Sequence, residues 1–277
     1  MRTAPTFPRF VVCDMAAITS VSNPRVKYAR SLAQKRARRQ EGCFVAEGVR
    51  LVDDALRAGA SLRMAFYVED LDASPDGAGL IERLCGAVAD CLSVTPAVMK
   101  ALSDTVTPQG VLAVAEIPRW PAPDKPLRIG LILDQWRDPG NLGTVLRSAE
   151  AAGADWTILT PGTVDAFSPK VVRAGMGVHF RLPIITDCTW GDIAPALRGT
   201  PLYLADAHAP LPYSAVDWTR PATLIVGGEA RGASDAAWRI GAVGISIPMH
   251  GGAESLNAAV AASAILLEAS RQRRGKE

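Results

Sequence analysis

From residue 127 onward the chain alternates short, unbroken apolar runs with stretches of helical period. The runs are "LRIGLIL", "WTILT", "PLYLADA", "TLIVGG" and "VGISIPM"; helical patterns follow Asn141, surround Lys170 and extend from Ser255. A run that is apolar at every position is a strand covered on both faces, and strand–helix alternation makes the sheet parallel. The expected class is α/β. Before residue 118 the pattern is finer. "CFVAEG", "MAFYV", "CLSV" and "GVLAVAEI" are strand-like, while Val49 to Leu56, "GLIERLCGAVA" and "PAVMKALSD" have helical period. Asn23 to Arg39 reads as one amphipathic helix, with Val26, Ala29, Leu32 and Ala33 on its apolar face. Asn23 can cap that helix and Pro24 suits its first position.

"PRWPAPDKP" has four prolines in nine residues, which denies the chain both helix and sheet hydrogen bonding. The expected division is an extension over 1–15, a smaller α/β domain over 16–117, a linker over 118–126 and a larger domain over 127–277. Composition adds little: 277 residues, 48% hydrophobic and 21% charged, describe an ordinary soluble globular protein. No apolar run approaches the roughly 18 residues of a membrane span. The apolar stretch Phe10 to Cys13 is too short for a secretory signal, although residues 1–13 contain no acid and leave an organellar transit peptide open. Met15 would also serve as a start. Five dispersed cysteines without CxxC spacing and three unclustered histidines point to a reduced, cytoplasmic protein with neither a disulfide framework nor a metal site.

Charge is unevenly spread. The net value is only +2, but residues 1–50 carry +7, the tail from Arg271 carries +3, and the stretch between them carries −8. Arg25, Lys27, Arg30, Lys35, Arg36, Arg38 and Arg39 cover the polar sides of the Asn23–Arg39 pattern. A polyanion-binding arm and a solvated helix face both satisfy such a run.

Three glycine-containing turns could carry chemistry. In "LDQWRDPGNLGTVLRSAEAAGA", the "DPGN" turn leads to Asn141, which can cap a helix beginning at Leu142. Helical geometry puts Leu142, Val145, Leu146 and Ala149 on one face and Arg147 on the other, near Thr144 and Ala151. On periodicity alone Arg147 is a solvated arginine. Gly140 and Gly143 leave the dinucleotide pattern GxGxxG incomplete, and the Gly-Lys-Ser/Thr of a phosphate loop is absent. "LIVGGEARGAS" sets Gly227 and Gly228 at a strand end, followed by Glu229, Arg231 and Gly232. "ISIPMHGGAESLNAAVAASAILLE" sets Ser255, Leu256 and Asn257 ahead of an alanine-rich helix. Strand C-termini are where open α/β sheets bind ligands.

Taken together, these segments resemble the three ordered motifs of the SpoU/TrmH family of RNA 2′-O-ribose methyltransferases, within the SPOUT superfamily. "SPKVVRAGMGVHFRLPI" fits between them, and "NPRVKYARSL" with "FVAEGVRLVDDAL" resembles the L30e-like substrate-binding domain common in that family. The resemblance implies S-adenosylmethionine as cofactor, a trefoil knot in the C-terminal domain and a homodimer with the alanine-rich helix near its interface. It assigns the cofactor to Gly227, Gly228, Ile247, Pro248, Met249 and Leu256. It assigns the active site to Arg147, Asn141, Glu229, Ser255 and Asn257, and it makes the basic residues of Arg25–Arg39 a phosphate-contacting RNA surface. A guanidinium is too strong an acid-holder to serve as general base, so Arg147 is expected to clamp a phosphate and stabilise the developing alkoxide. Ser255 and Asn257 orient substrate or cap the following helix. Ribosomal RNA is the first expected substrate. Transfer RNA is the alternative within the class, and a non-catalytic RNA-binding assembly factor is the alternative outside it.

Overall fold

A computed structural model describes residues 16–73, 77–120, 128–197, 199–229, 232–252 and 254–275. The expected extension over 1–15, most of the proline-rich linker and Arg231 lie outside the described residues. The chain divides into two compact units, 1–117 and 118–277.

The first unit contains α1 (Pro24–Ser31), α2 (Lys35–Glu41), β1 (Cys43–Glu47), α3 (Val49–Arg57), β2 (Leu62–Tyr67), α4 (Leu80–Ala87), β3 (Cys91–Ser93), α5 (Pro96–Leu102) and β4 (Val111–Glu116). Its four-stranded sheet has the order β1-β4-β2-β3, with only the β2–β3 pair parallel. One core gathers Val26, Leu32, Phe66, Met99 and Leu112 on one face of the sheet, and a second gathers Val52, Ala65, Leu80 and Leu84 on the other.

Two expectations for this unit are corrected. The single Asn23–Arg39 helix is two helices, broken at Leu32–Gln34, where Gln34 is extended. Arg38 explains the break: it is buried, and its guanidinium donates to the Leu32 and Ala33 carbonyls at 2.6 and 2.8 Å. Helix C-termini leave carbonyls unsatisfied, and here a side chain from the next helix supplies the donors. Arg38 therefore cannot belong to an exposed RNA surface. Second, Cys85 and Cys91 form a disulfide, with Cα atoms 5.1 Å apart, where an all-reduced set was expected. The three-residue connection from α4 to β3 brings them within disulfide range.

The second unit contains β5 (Ile129–Asp134), α6 (Pro139–Ala151), β6 (Trp156–Leu159), α7 (Pro169–Gly175), β7 (Ile184–Ile185), α8 (Trp190–Ala196), β8 (Leu202–Ala205), β9 (Leu211–Pro212), β10 (Ala222–Gly227), α9 (Asp235–Arg239), β11 (Val243–Ser246) and α10 (Ala258–Arg274). The seven strands form one parallel sheet, ordered β7-β6-β5-β10-β8-β11-β9. Every residue of β5 and β10 is buried, as a central parallel pair requires. On α6 the predicted apolar face, Leu142, Val145, Leu146 and Ala149, is buried as expected. The helix nevertheless starts three residues earlier than predicted. Asp138 is its cap, accepting the Asn141 N–H at 2.7 Å, and Pro139 takes the first turn. That arrangement releases the Asn141 side chain from capping.

Candidate active site

Strand ends β5, β8, β10 and β11 point their C-termini toward one edge of the parallel sheet, and α10 begins beside them. A cavity of about 780 Å³ opens there, inside the size range of small-molecule and cofactor sites. Its walls come from the end of β8 (Ala205, Asp206, His208), the end of β10 (Gly227, Gly228, Glu229), the stretch after β11 (Ile247, Met249) and the approach to α10 (Ser255, Leu256, Asn257). Trp238 of α9 and Ile265 of α10 complete the apolar lining. Of the six residues the sequence assigned to the cofactor, five line this cavity; Pro248 does not.

The polar groups are organised as a chain. Asn141 Nδ2 donates to Glu229 Oε1 at 2.8 Å, and Asn257 Nδ2 donates to Asn141 Oδ1 at 3.4 Å. Asn257 Oδ1 meanwhile accepts the Ala259 and Val260 N–H groups at 2.9 and 3.3 Å. Asn257 thus caps α10, one of the two roles the sequence left open, and also lines the cavity. Residues far apart in the chain meet here because α6, the turn after β10 and the start of α10 share one edge of the sheet. Ser255 lines the cavity and is exposed.

Arg147 is placed differently. It is exposed, as helical geometry predicted, and its side chain has no hydrogen-bond or ion-pair partner among the described residues. It does not line the cavity. It borders a separate, open depression with Thr144, Ser148, Ala151, Met176, Arg181 and Leu267.

The lining chemistry suits a cationic, partly apolar ligand. Asp206 and Glu229 face the cavity and no lysine or arginine does so among the described residues, while Ile247, Met249 and Leu256 offer an apolar wall. That set fits S-adenosylmethionine, which joins a positively charged sulfur to a flat adenine and a ribose diol. Sequence reasoning missed Asp206, His208 and Trp238. "LADAHA" held a usable signal, an acid one residue past a strand end in an open α/β sheet. Among the other histidines, His179 is fully buried, its Nε2 lies 2.8 Å from the Ala166 carbonyl, and burial pushes its pKa down to about 4. It is a neutral core residue at neutral pH.

Residues 128–267 match the SpoU rRNA Methylase family model, which spans half the chain. The chain belongs to the SpoU rRNA methylase family. Residues 23–113 of this SpoU-family protein match the MRM3-like substrate binding domain. The protein is 36% identical to the human mitochondrial rRNA methyltransferase 3, covering 86% of this chain and 70% of that one. It is 31% identical to the 23S rRNA (guanosine(2553)-2'-O)-methyltransferase RlmP of Bacillus subtilis, over 91% and 98% of the two chains. Among solved structures, the SpoU methyltransferase AviRb from Streptomyces viridochromogenes in complex with the cofactor AdoMet superposes with a TM-score of 0.81 at 31% identity, covering 91% and 98% of the chains.

In the first unit the seven basic residues of Arg25–Arg39 fall into three groups. Lys27, Arg30, Lys35, Arg36 and Arg39 are exposed. Arg25 is also exposed but is held by Asp90, its Nε and Nη2 each 3.2 Å from a carboxyl oxygen. Arg38 is buried. In this SpoU-family chain no helix among the described residues is long and apolar enough to cross a membrane, and no cluster of His, Cys, Asp or Glu there is set to hold a metal ion.

Proposed function

We propose that this protein transfers a methyl group from S-adenosylmethionine to a ribose 2′-hydroxyl of ribosomal RNA. The observation that carries the reading is the cavity at the strand ends, free of lysine and arginine among its described lining residues, with the Glu229–Asn141–Asn257 chain beside it. The kinship with named rRNA 2′-O-methyltransferases supports ribosomal RNA over transfer RNA. When bound, S-adenosylmethionine supplies an electrophilic methyl on an already activated leaving group. The chain's residues have three tasks. Ile247, Met249 and Leu256 seat the adenine and exclude water. Glu229, fixed by Asn141 through Oε1, keeps Oε2 for a ligand hydroxyl or the positive sulfur. Asn257 and Ser255 orient the ribose, so that the reacting atoms are held rather than found by diffusion.

Arg147 is assigned to the RNA phosphate beside the target ribose, where a guanidinium binds bidentately. Since it stands outside the cavity of its own chain, we assign it to the cavity of a second copy in a homodimer. The exposed apolar side chains that share its depression support this: Leu267 on α10, and Met176. The trefoil knot implied by the family resemblance belongs to the same reading. Cytoplasmic residence is proposed, with organellar import as its alternative. The test is transfer of labelled methyl from S-adenosylmethionine to total ribosomal and transfer RNA, followed by mapping of the modified ribose. Label on a ribose of ribosomal RNA is expected; label confined to transfer RNA, or none at all, rejects the assignment.

A further inference from the structure

Asp134 is the last residue of β5, is fully buried, and is surrounded by donors. Thr160 Oγ1 donates to its Oδ1 at 2.8 Å, and the Ser234 N–H donates to its Oδ2 at 2.7 Å. Its own carbonyl accepts the Gly228 N–H at 2.9 Å. One residue therefore has two ends in its grip: Gly228 through the main chain and Ser234 through the side chain. Between those ends stands Glu229. Gly228, Glu229, Gly232 and Ala233 all line the cavity.

The local backbone leaves little freedom around this clasp. Gln135 lies in the left-handed region at φ 59, its N–H donates to Thr160 Oγ1 at 3.1 Å, and a Cβ on Gly228 would come within 2.6 Å of its carbonyl oxygen. The Gly232 N–H donates to the Gly228 carbonyl at 3.0 Å. Just beyond β5, α6 starts and presents Asn141 to Glu229, so Asp134 joins the two backbones whose side chains must meet. The Ser234 N–H requires an acceptor, and the Thr160 hydroxyl, already accepting the Gln135 N–H, directs its own hydrogen to the other carboxylate oxygen. Asparagine has the same shape but brings a donor.

We propose that Asp134 is a positioning residue for methyl transfer, setting the Glu229 segment against α6 so that the cofactor cavity exists before ligand arrives. The proposal rests on the cavity being the S-adenosylmethionine site. An acid that merely satisfies buried donors would affect stability and nothing more, so the test separates the two. Calorimetric titration of the full chain with S-adenosylmethionine and with S-adenosylhomocysteine should show Asp134→Asn binding both at least tenfold more weakly. Thr160→Val, which leaves the Ser234 bond in place, should change affinity less than threefold even where its urea midpoint falls as far. Peptides covering 228–234 should exchange amide hydrogens faster in Asp134→Asn only. Equal affinity losses in the two variants, or a lowered midpoint with wild-type affinity, would overturn the proposal. Should Asp134→Asn fail to fold, the wild type decides: its Ser234 amide is expected to be protected before any cofactor is added, and free exchange there rejects the clasp. A wild-type chain that binds neither ligand rejects instead the reading of the cavity.

Discussion

Arg38 and Arg36 sit two residues apart in α2, and their environments assign them opposite work. Arg38 is 4% exposed and donates two charge-assisted hydrogen bonds to the carbonyls that end α1, each bond of a kind worth about 1.5–3 kcal/mol. Arg36 and Lys35 are exposed to solvent. Arg38→Met should therefore destabilise the first unit by about 3 kcal/mol, read from urea denaturation. Its RNA affinity should fall only in step with the folded fraction. Lys35→Glu with Arg36→Glu should leave the midpoint within about 0.5 kcal/mol of wild type while weakening RNA binding at least tenfold at low salt, an effect that shrinks as salt is added. Unchanged RNA affinity at low salt in that double variant would remove α2 from the RNA surface. Charge counting treated these residues alike, because a one-letter run does not say which arginine turns inward.

At the scale of elements, the crossing of α6 over α7 depends on a missing side chain. A Cβ on Gly143 would land on the Ala174 methyl and lie 2.9 Å from the backbone carbon of Ala174 and the amide nitrogen of Gly175. Gly143→Ala should cost about 1–3 kcal/mol through overpacking, since rigid backbone rather than a flexible tip stands in the way. Denaturation of the second unit measures it, and a neutral result would mean that α7 moves aside freely. Most longer elements were legible in the sequence because their apolar period continued long enough to be read. Some short ones were not: α8, α9, β7 and β9 went unread, and nothing in "SLAQ" announces the break between α1 and α2. The start of α6 was misread because Asn141 is a good cap, but Asp138 followed by proline is a better one. The cavity lining was legible wherever a motif carried it, as at Gly227, Glu229, Leu256 and Asn257. Asp206 and Trp238 reach the cavity from segments without a motif, and Asp134 earns its partners only when three strand ends are side by side.

At the scale of the molecule, the separation of Arg147 from the cavity makes a prediction about subunits. Arg147→Ala and Asn257→Ala should each be inactive as homodimers. Mixed and allowed to exchange, they should regain about a quarter of wild-type activity, because half the dimers are mixed and each holds one intact site. No recovery after demonstrated exchange would return Arg147 to its own chain. The order of strands carries a different consequence, one of time. In the middle of the sheet Ile129 lies opposite Ala222, so the two most buried strands cannot pair until the ribosome has released nearly everything between them, and the cavity gains its last wall only when α10 follows. Such long-range pairing folds slowly. A nascent chain interrupted before α10 would display an uncovered face of a nearly finished parallel sheet with no pocket for ligand to stabilise, and it is at that stage of synthesis that this protein has most need of protection from aggregation.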